Sequence, residues 1–293
     1  MVSQERLLWV NGALIPAGQA HIDARDRGFT LGDGLFETVR VHRGHPLGLD
    51  RHFARLRRSA AFLGITLSWR DHELRDAIAA TLAANASTNA ALRLTLGRGV
   101  PATRGLLPDP EATPSLVIDV QPFTGYPAEL YSRGITAVTS QIPRNERSPL
   151  TRHKTLSYLD QVLVRREAAA LGVDDALMRN TAGELVCASA ANLFLVVGDD
   201  LVTPPINAGA LPGTTRELIL QRLAPGAGIG VVERGIHPAE LSAASEAFLT
   251  SALLGVAPLT RVDERPVGDG LPGPRTRQLQ AALGDWADAA GDE

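Results

Sequence analysis

Arg152–Gly172 reads RHKTLSYLDQVLVRREAAALG and contains Lys154, the only lysine among the 29 lysine and arginine residues of this 293-residue chain. Arginine can replace lysine in almost any solvated or ion-paired role. Its guanidinium keeps its proton, however, and cannot serve as an amine nucleophile. Two readings follow: composition has drifted toward arginine and one lysine remains, or one position needs the neutral primary amine that Schiff-base chemistry uses. The residues after it, Tyr158 to Leu171, form an alanine-rich helical pattern. Lys154 therefore stands at a strand-to-helix junction, where a cleft edge can form.

Outward from that stretch the pattern is α+β on both sides. RLLWVNGALI gives two short strands around Asn11-Gly12, and LFETVRVHRGHPLGL gives two more joined near Arg43-Gly44. Phe53, Leu56, Ala60 and Leu63 recur at spacings of three and four, predicting a helix from Leu49 to about Leu63 that stops near Gly64. DHELRDAIAATLAAN repeats the helical pattern, and ALRLTLGRG and PSLVIDVQPF read as strands. The Pro, Gly and Thr of QPFTGYP make Gln121–Pro127 the expected linker. After it come a strand in GITAVTSQIP, the lysine stretch, a strand in DALMRN, a strand ladder in AGELVCASAANLFLVVGDDLVTPP turning at Gly198–Asp200, and a last amphipathic helix in GPRTRQLQAALGDWADAA. The expected division is a small domain over residues 1–120, the linker over 121–127, and a larger domain over 128–293 that carries the lysine.

Composition limits the partners. With 44% hydrophobic and 21% charged residues and 28 glycines, the chain has material for sizeable cores. A formal net charge of −3 offers no field that seeks polyanions, and no nucleic-acid-binding motif is present, so nucleic acid is not an expected partner. No stretch reaches the roughly 20 apolar residues of a spanning helix, and the amino terminus lacks a signal-peptide pattern. A cytoplasmic protein with no membrane partner is expected. The single cysteine, Cys187, rules out an intrachain disulfide, and the seven scattered histidines show no metal-binding spacing, so no metal is expected.

Three further segments suit an anion. In LPGTTREL, Gly213 precedes Thr214, Thr215 and a helical run, so backbone N–H groups and hydroxyls can face a phosphate, although helix-capping threonines are common. Arg55 lies in HFARLRRS, and Thr250 and Ser251 follow an apolar strand in FLTSALLGVAPL. Each also has an ordinary surface or turn reading.

In order along the chain, DRGFTLGDGLFETVRV, RHFARL, the sole lysine followed by LSYLDQVL, GELVCASAANLFLV, LPGTTR and FLTSALLGVAPL resemble the class IV aminotransferase family. These are the fold-type IV pyridoxal-phosphate enzymes, among them branched-chain and D-amino-acid aminotransferases and 4-amino-4-deoxychorismate lyases. The resemblance covers about Leu8 to Leu259. It implies a two-domain α+β fold of the D-amino-acid aminotransferase type with its active site in the interdomain cleft, pyridoxal 5'-phosphate as cofactor, and a homodimer.

What the resemblance implies for single residues is as follows. Lys154 matches the lysine that holds the cofactor as a Schiff base and shuttles the substrate proton. Arg55 matches the phosphate-clamping arginine, Gly213, Thr214 and Thr215 one phosphate loop, and Ser251 with Ala252 a second. Related enzymes often have a threonine where this chain has Ala252. Tyr158 matches a hydrogen-bond donor to the cofactor's phenolic oxygen, and Asn192 a residue placed near the pyridine ring. Phe36, Arg40, Arg98 and Arg104 fall in substrate-side segments, Arg104 being the first choice for a substrate carboxylate.

One position departs from the family pattern. Five residues before Asn192, where a glutamate is expected against the pyridine nitrogen, this chain has Cys187. Glu184, the nearest acid, faces away by strand alternation and lies about 10 Å off. A neutral thiol does not hold a proton on the ring as a carboxylate does, so transamination is expected to be slow. A small buried residue that merely fills space is the plainer reading. The activities implied are transfer between an amino acid and a 2-oxo acid, or lysis of aminodeoxychorismate to pyruvate and 4-aminobenzoate, which AANLF and SALLGVAPL favour. A degenerate protein that binds cofactor without turnover is a third possibility.

Overall fold

Alternation in GLFETVRVH sends Leu35, Glu37, Val39 and Val41 to one face of a nine-residue strand, Gly34–His42. Around it, in a computed structural model that describes residues 5–289, the first of two units forms. It comprises residues up to Thr124 together with His153–Ser157, and the second comprises Gly125–Arg152 and Tyr158–Ala289. The lysine segment is thus grouped with the first unit, not with the larger one expected to carry it. The first boundary between the units follows Thr124.

The first unit has strands β1 (Leu7–Val10), β2 (Ala13–Pro16), β3 (Gly34–His42), β4 (His45–Pro46), β5 (Ala90–Gly97) and β6 (Ser115–Pro122), in the order β2-β1-β6-β5-β3-β4. All pairs are antiparallel. Both expected hairpin turns are present. Asn11-Gly12 and Arg43-Gly44 take positive φ at each residue, as two-residue turns that follow the strand twist require. Its helices are α1 (Arg27–Leu31), α2 (Leu49–Leu63) and α3 (Asp71–Ala84). The helix α2 ends on a left-handed Gly64 whose N–H bonds Ala60 and Ala61 carbonyls, where the sequence predicts the stop. Phe53, Leu56 and Ala60 of α2 pack with Leu74 and Ile78 of α3 onto Leu35, Val39, Leu92, Leu94, Leu116 and Ile118 of the sheet.

The second unit has α4 (Ala128–Arg133), β7 (Ile135–Thr139), α5 (Leu159–Ala170), β8 (Asp175–Arg179), β9 (Leu185–Ala188), β10 (Asn192–Val197) and β11 (Asp200–Thr203). These are followed by α6 (Thr214–Leu218), α7 (Ala224–Gly226), β12 (Gly230–Glu233), β13 (Glu246–Ser251), β14 (Gly255–Val262), β15 (Arg265–Pro266) and α8 (Pro274–Ala289). A π-helical turn, Ile219–Leu223, joins α6 to α7. The sheet runs β12-β11-β10-β13-β14-β7-β8-β9, and β9 pairs back onto β10, so six of its strands close into a barrel. The closing bridge sets Cys187 opposite Asn192. One barrel face carries Phe194 and Phe248, stacked at 4.9 Å and covered by Leu218, Ile219 and Leu279. Among the described residues no helix is long and apolar enough to cross a membrane.

Candidate active site

In the first unit, Lys154 is held as an added strand edge. Phe36 N donates to Lys154 O at 2.9 Å, Leu156 N donates to Gly34 O at 2.9 Å, and Thr155 bridges Leu35. These bonds set the lysine side chain over β3, with Nζ 4.2 Å from the centroid of the Phe36 ring. The Arg93 guanidinium lies 3.8 Å from the same ring. Phe36, expected beside a substrate, thus has cations against it from within the chain.

The opposite face of β3 carries a buried charge cluster. Glu37 is the one acid among Leu35, Val39 and Val41, and it points at α2, where His52 and Arg55 stand three residues apart on the buried side. Arg55 donates to both Glu37 oxygens, Nε to Oε1 at 2.9 Å and Nη2 to Oε2 at 2.6 Å. His52 Nδ1 lies 2.6 Å from Oε2. Burial pushes the Glu37 carboxyl up, but the Arg55 charge and hydrogen bonds outweigh it and hold the group down at about 2. An ionised carboxylate only accepts, so His52 Nδ1 carries the hydrogen; burial lowers the imidazole's proton affinity. The phosphate-clamping candidate thus has two donors on an internal carboxylate. Glu37 and His52 escaped the sequence reading, although a charge on an otherwise apolar strand face, and two polar residues on an apolar helix face, were visible signals.

The other first-unit candidates divide. Arg40 donates to Phe123 O at 2.9 Å and lies over that ring. Arg98, expected on the substrate side, is buried and committed: Nε donates to Asp33, Nη1 to Gly64 O and Nη2 to Leu63 O. It ties the end of α2 to the strand edge, so a substrate carboxylate would have to displace three structural bonds. Arg104 is exposed and has no partner among the described residues.

In the second unit, three candidates meet at the barrel closure. Cys187 and Asn192 face each other across β9 and β10, and Asn192 Nδ2 donates to Leu211 O at 2.9 Å. A Cβ on Gly213 would stand 2.0 Å from Asn192 Oδ1, so only glycine allows the loop to lie this close before Thr214 opens α6. Burial pushes the Cys187 thiol up; the Arg144 charge opposes this and the Asp175 charge adds to it. The thiol is neutral at ordinary pH. Glu184 does not reach it, since Asn180 Nδ2 donates to its carboxylate at 3.0 Å. Arg216, just past Thr214 and Thr215, is buried and donates to Pro204 O and Glu233, tying the helix start to the sheet side.

Tyr158 and Ser251 line one cavity of about 740 Å³ with Ser189, Ala191 and Leu254. Ser251 Oγ accepts from Leu254 N at 3.3 Å, and Ala252 supplies no hydroxyl.

These groups suit an aldehyde-bearing aromatic phosphate. The first unit supplies one amine and a buried guanidinium; the second, by itself, supplies a glycine-led helix start with two threonines, the pattern that receives phosphate oxygens on backbone N–H groups. At the barrel closure Cys187 is a buried neutral thiol, not a carboxylate.

Comparison with known proteins agrees with this chemistry. A family model described as amino-transferase class IV matches residues 34–262. D-alanine aminotransferase of Bacillus licheniformis is 30% identical over 273 residues, covering 93% of this chain and 94% of that protein. The branched-chain amino acid aminotransferase structure from Escherichia coli superposes with a TM-score of 0.91 at 28% identity, covering 96% of this chain and 94% of that one. A Legionella pneumophila structure put forward as a 4-amino-4-deoxychorismate lyase gives a TM-score of 0.84 at 26% identity, with 92% and 97% covered. With the family model matching residues 34–262 and relatives matched along almost its whole length, the chain belongs to the class IV aminotransferase family of pyridoxal-phosphate enzymes.

Proposed function

We propose that the protein transfers an amino group between an amino acid and a 2-oxo acid, with Lys154 as the working amine. The observation that carries this reading is the placement of the only lysine, fixed by two backbone hydrogen bonds to β3, the strand whose other face carries the buried Glu37–Arg55–His52 cluster. Bound pyridoxal phosphate supplies an electrophilic aldehyde and a ring that accepts the electron pair left at a substrate α-carbon. Lys154 Nζ holds the cofactor, takes the proton from the substrate α-carbon and returns it.

The remaining residues bind and orient. Arg55 and the backbone at Gly213, Thr214, Thr215, Ser251 and Ala252 receive the phosphate; the missing hydroxyl at Ala252 leaves that loop to its N–H groups. Tyr158 donates to the phenolic oxygen, and Asn192 orients the ring through its bond to Leu211. Cys187 faces the ring nitrogen with a neutral thiol, which leaves that nitrogen less protonated and the α-proton harder to remove. Arg104 takes the substrate carboxylate, and the resemblance implies that the enzyme works as a homodimer.

Cys187 also favours a second reading, a 4-amino-4-deoxychorismate lyase, because expulsion of a leaving group removes the electron pair without a long stay on the ring. Product analysis separates the two. Incubation with D-alanine or a branched-chain amino acid and 2-oxoglutarate should give the new amino acid and oxo acid. Release of 4-aminobenzoate and pyruvate from 4-amino-4-deoxychorismate, with no amino transfer, would replace the first reading by the second. A holoprotein that turns over neither would be a cofactor-binding protein only.

A further inference from the structure

The connection between β5 and β6, Arg98–Pro114, has no helix or strand. Loops beyond about 12 to 15 residues inside compact domains are usually functional or disordered. This one is tied down at two levels. At its base, a Cβ on Gly99 would stand 1.9 Å from Thr113 O, so the two arms cross in contact, and Ser115 Oγ donates to Asp26. At its tip, Arg27 Nη1 donates to Gly105 O at 2.7 Å and Nη2 to Leu106 O at 2.9 Å.

Arg27 is itself fixed. Its Nε donates to Asp33 Oδ2 at 2.8 Å, and the same oxygen accepts from Arg98 Nε at 2.7 Å. The two arginine side chains are only 6% and 7% exposed. Arg98 carries the node on to the end of α2. Closing the loop does not need the Arg27 fork, since the base is already crossed and bonded. The fork acts on the tip, next to Arg104, whose guanidinium is exposed and has no partner among the described residues. Aiming an arginine at a carboxylate requires that its backbone be held, because ordering a free loop on binding costs conformational entropy that weakens the contact.

We propose that Arg27 and Asp33 are positioning residues, holding the Gly105–Leu106 backbone so that Arg104 meets a substrate carboxylate in a fixed direction. This rests on the assignment of Arg104 made above. Arg98 belongs to the same node and acts through the frame, not on substrate.

The test uses the holoenzyme with Arg27→Lys, which keeps the charge near Asp33 and loses the fork, and with Asp33→Asn as the second variant. Each should raise KM for an amino acid about tenfold, the worth of one charge-assisted hydrogen bond, with kcat within about twofold. The corresponding amine lacking the carboxylate should be unaffected, and cofactor affinity should hold. Trypsin cleavage after Arg104 in the free enzyme should accelerate about tenfold as the tip opens. An equal loss with the carboxylate-free amine would show a structural effect only and overturn the proposal, as would unchanged cleavage. Arg104→Ala is run in parallel. If it leaves KM unchanged while Arg27→Lys still frees the loop, the assignment of Arg104 fails, and the positioning role with it, while the hold on the tip stands.

Discussion

The surroundings of Lys154 and those of Cys187 treat charge in opposite ways. In the unit that holds the lysine, a carboxylate, a guanidinium and an imidazole share hydrogen bonds in a buried cluster, and Glu37 stays ionised because Arg55 more than offsets its desolvation. At the barrel closure, burial acts on Cys187 with no partner strong enough to ionise it. Buried charge persists only where it is paired. The comparison teaches that the unit holding the lysine keeps its buried charges paired, while the barrel closure at Cys187 stays neutral.

The largest test of this contrast removes the amine. Lys154→Ala should lower turnover by a factor of about 10³, within the range for a positioned acid–base group, and abolish the visible absorbance of the cofactor-loaded protein while circular dichroism is unchanged. Retained turnover would break the comparison at its charged end. Next, Glu37→Gln leaves Arg55 buried without its carboxylate and should cost about 3–5 kcal/mol of stability in denaturant titration. The same pair sets an acid limit. Glu37 is held at about 2, below its ordinary 4.5, so its contribution is fully present above about 4.5 and is lost as pH falls toward 2. Melting temperatures measured down that range should drop in the wild type and change less in Glu37→Gln. A smaller effect is expected for Gly213→Ala. Its new Cβ would meet Asn192 Oδ1 at 2.0 Å. Relieving that overlap should cost about 1–3 kcal/mol and weaken cofactor binding. Unchanged affinity by fluorescence titration would detach the helix start from the phosphate.

What could be read from residue order alone follows local rules. The turns at Asn11-Gly12 and Arg43-Gly44, the three- and four-residue spacing of α2 and the stop at Gly64 are encoded within a few residues of where they act. The lone lysine offered an amine role as one of two readings, since arginine cannot replace an amine nucleophile, and only the resemblance of the segments around it to a known family favoured that reading. Non-local pairings were not legible. That His153–Ser157 joins β3 depends on backbone groups far apart in sequence, and no side-chain pattern marks it. The closure of β9 on β10, which brings Cys187 and Asn192 face to face, is of the same kind. Arg98 shows the limit for side chains: in sequence it is one arginine of a loop, and only its three acceptors reveal a frame residue.

The central claim is that a neutral Cys187 limits proton removal at the substrate α-carbon. The direct measurement is the rate of the single-turnover half-reaction with an amino acid, followed by the cofactor's absorbance, in the wild type, Cys187→Glu and Cys187→Ala. A carboxylate at that position should raise the rate about tenfold by holding a proton on the ring nitrogen, and alanine, equally neutral, should leave it within about twofold. Equal rates in all three proteins, with the glutamate variant folded and cofactor-loaded, would contradict the account.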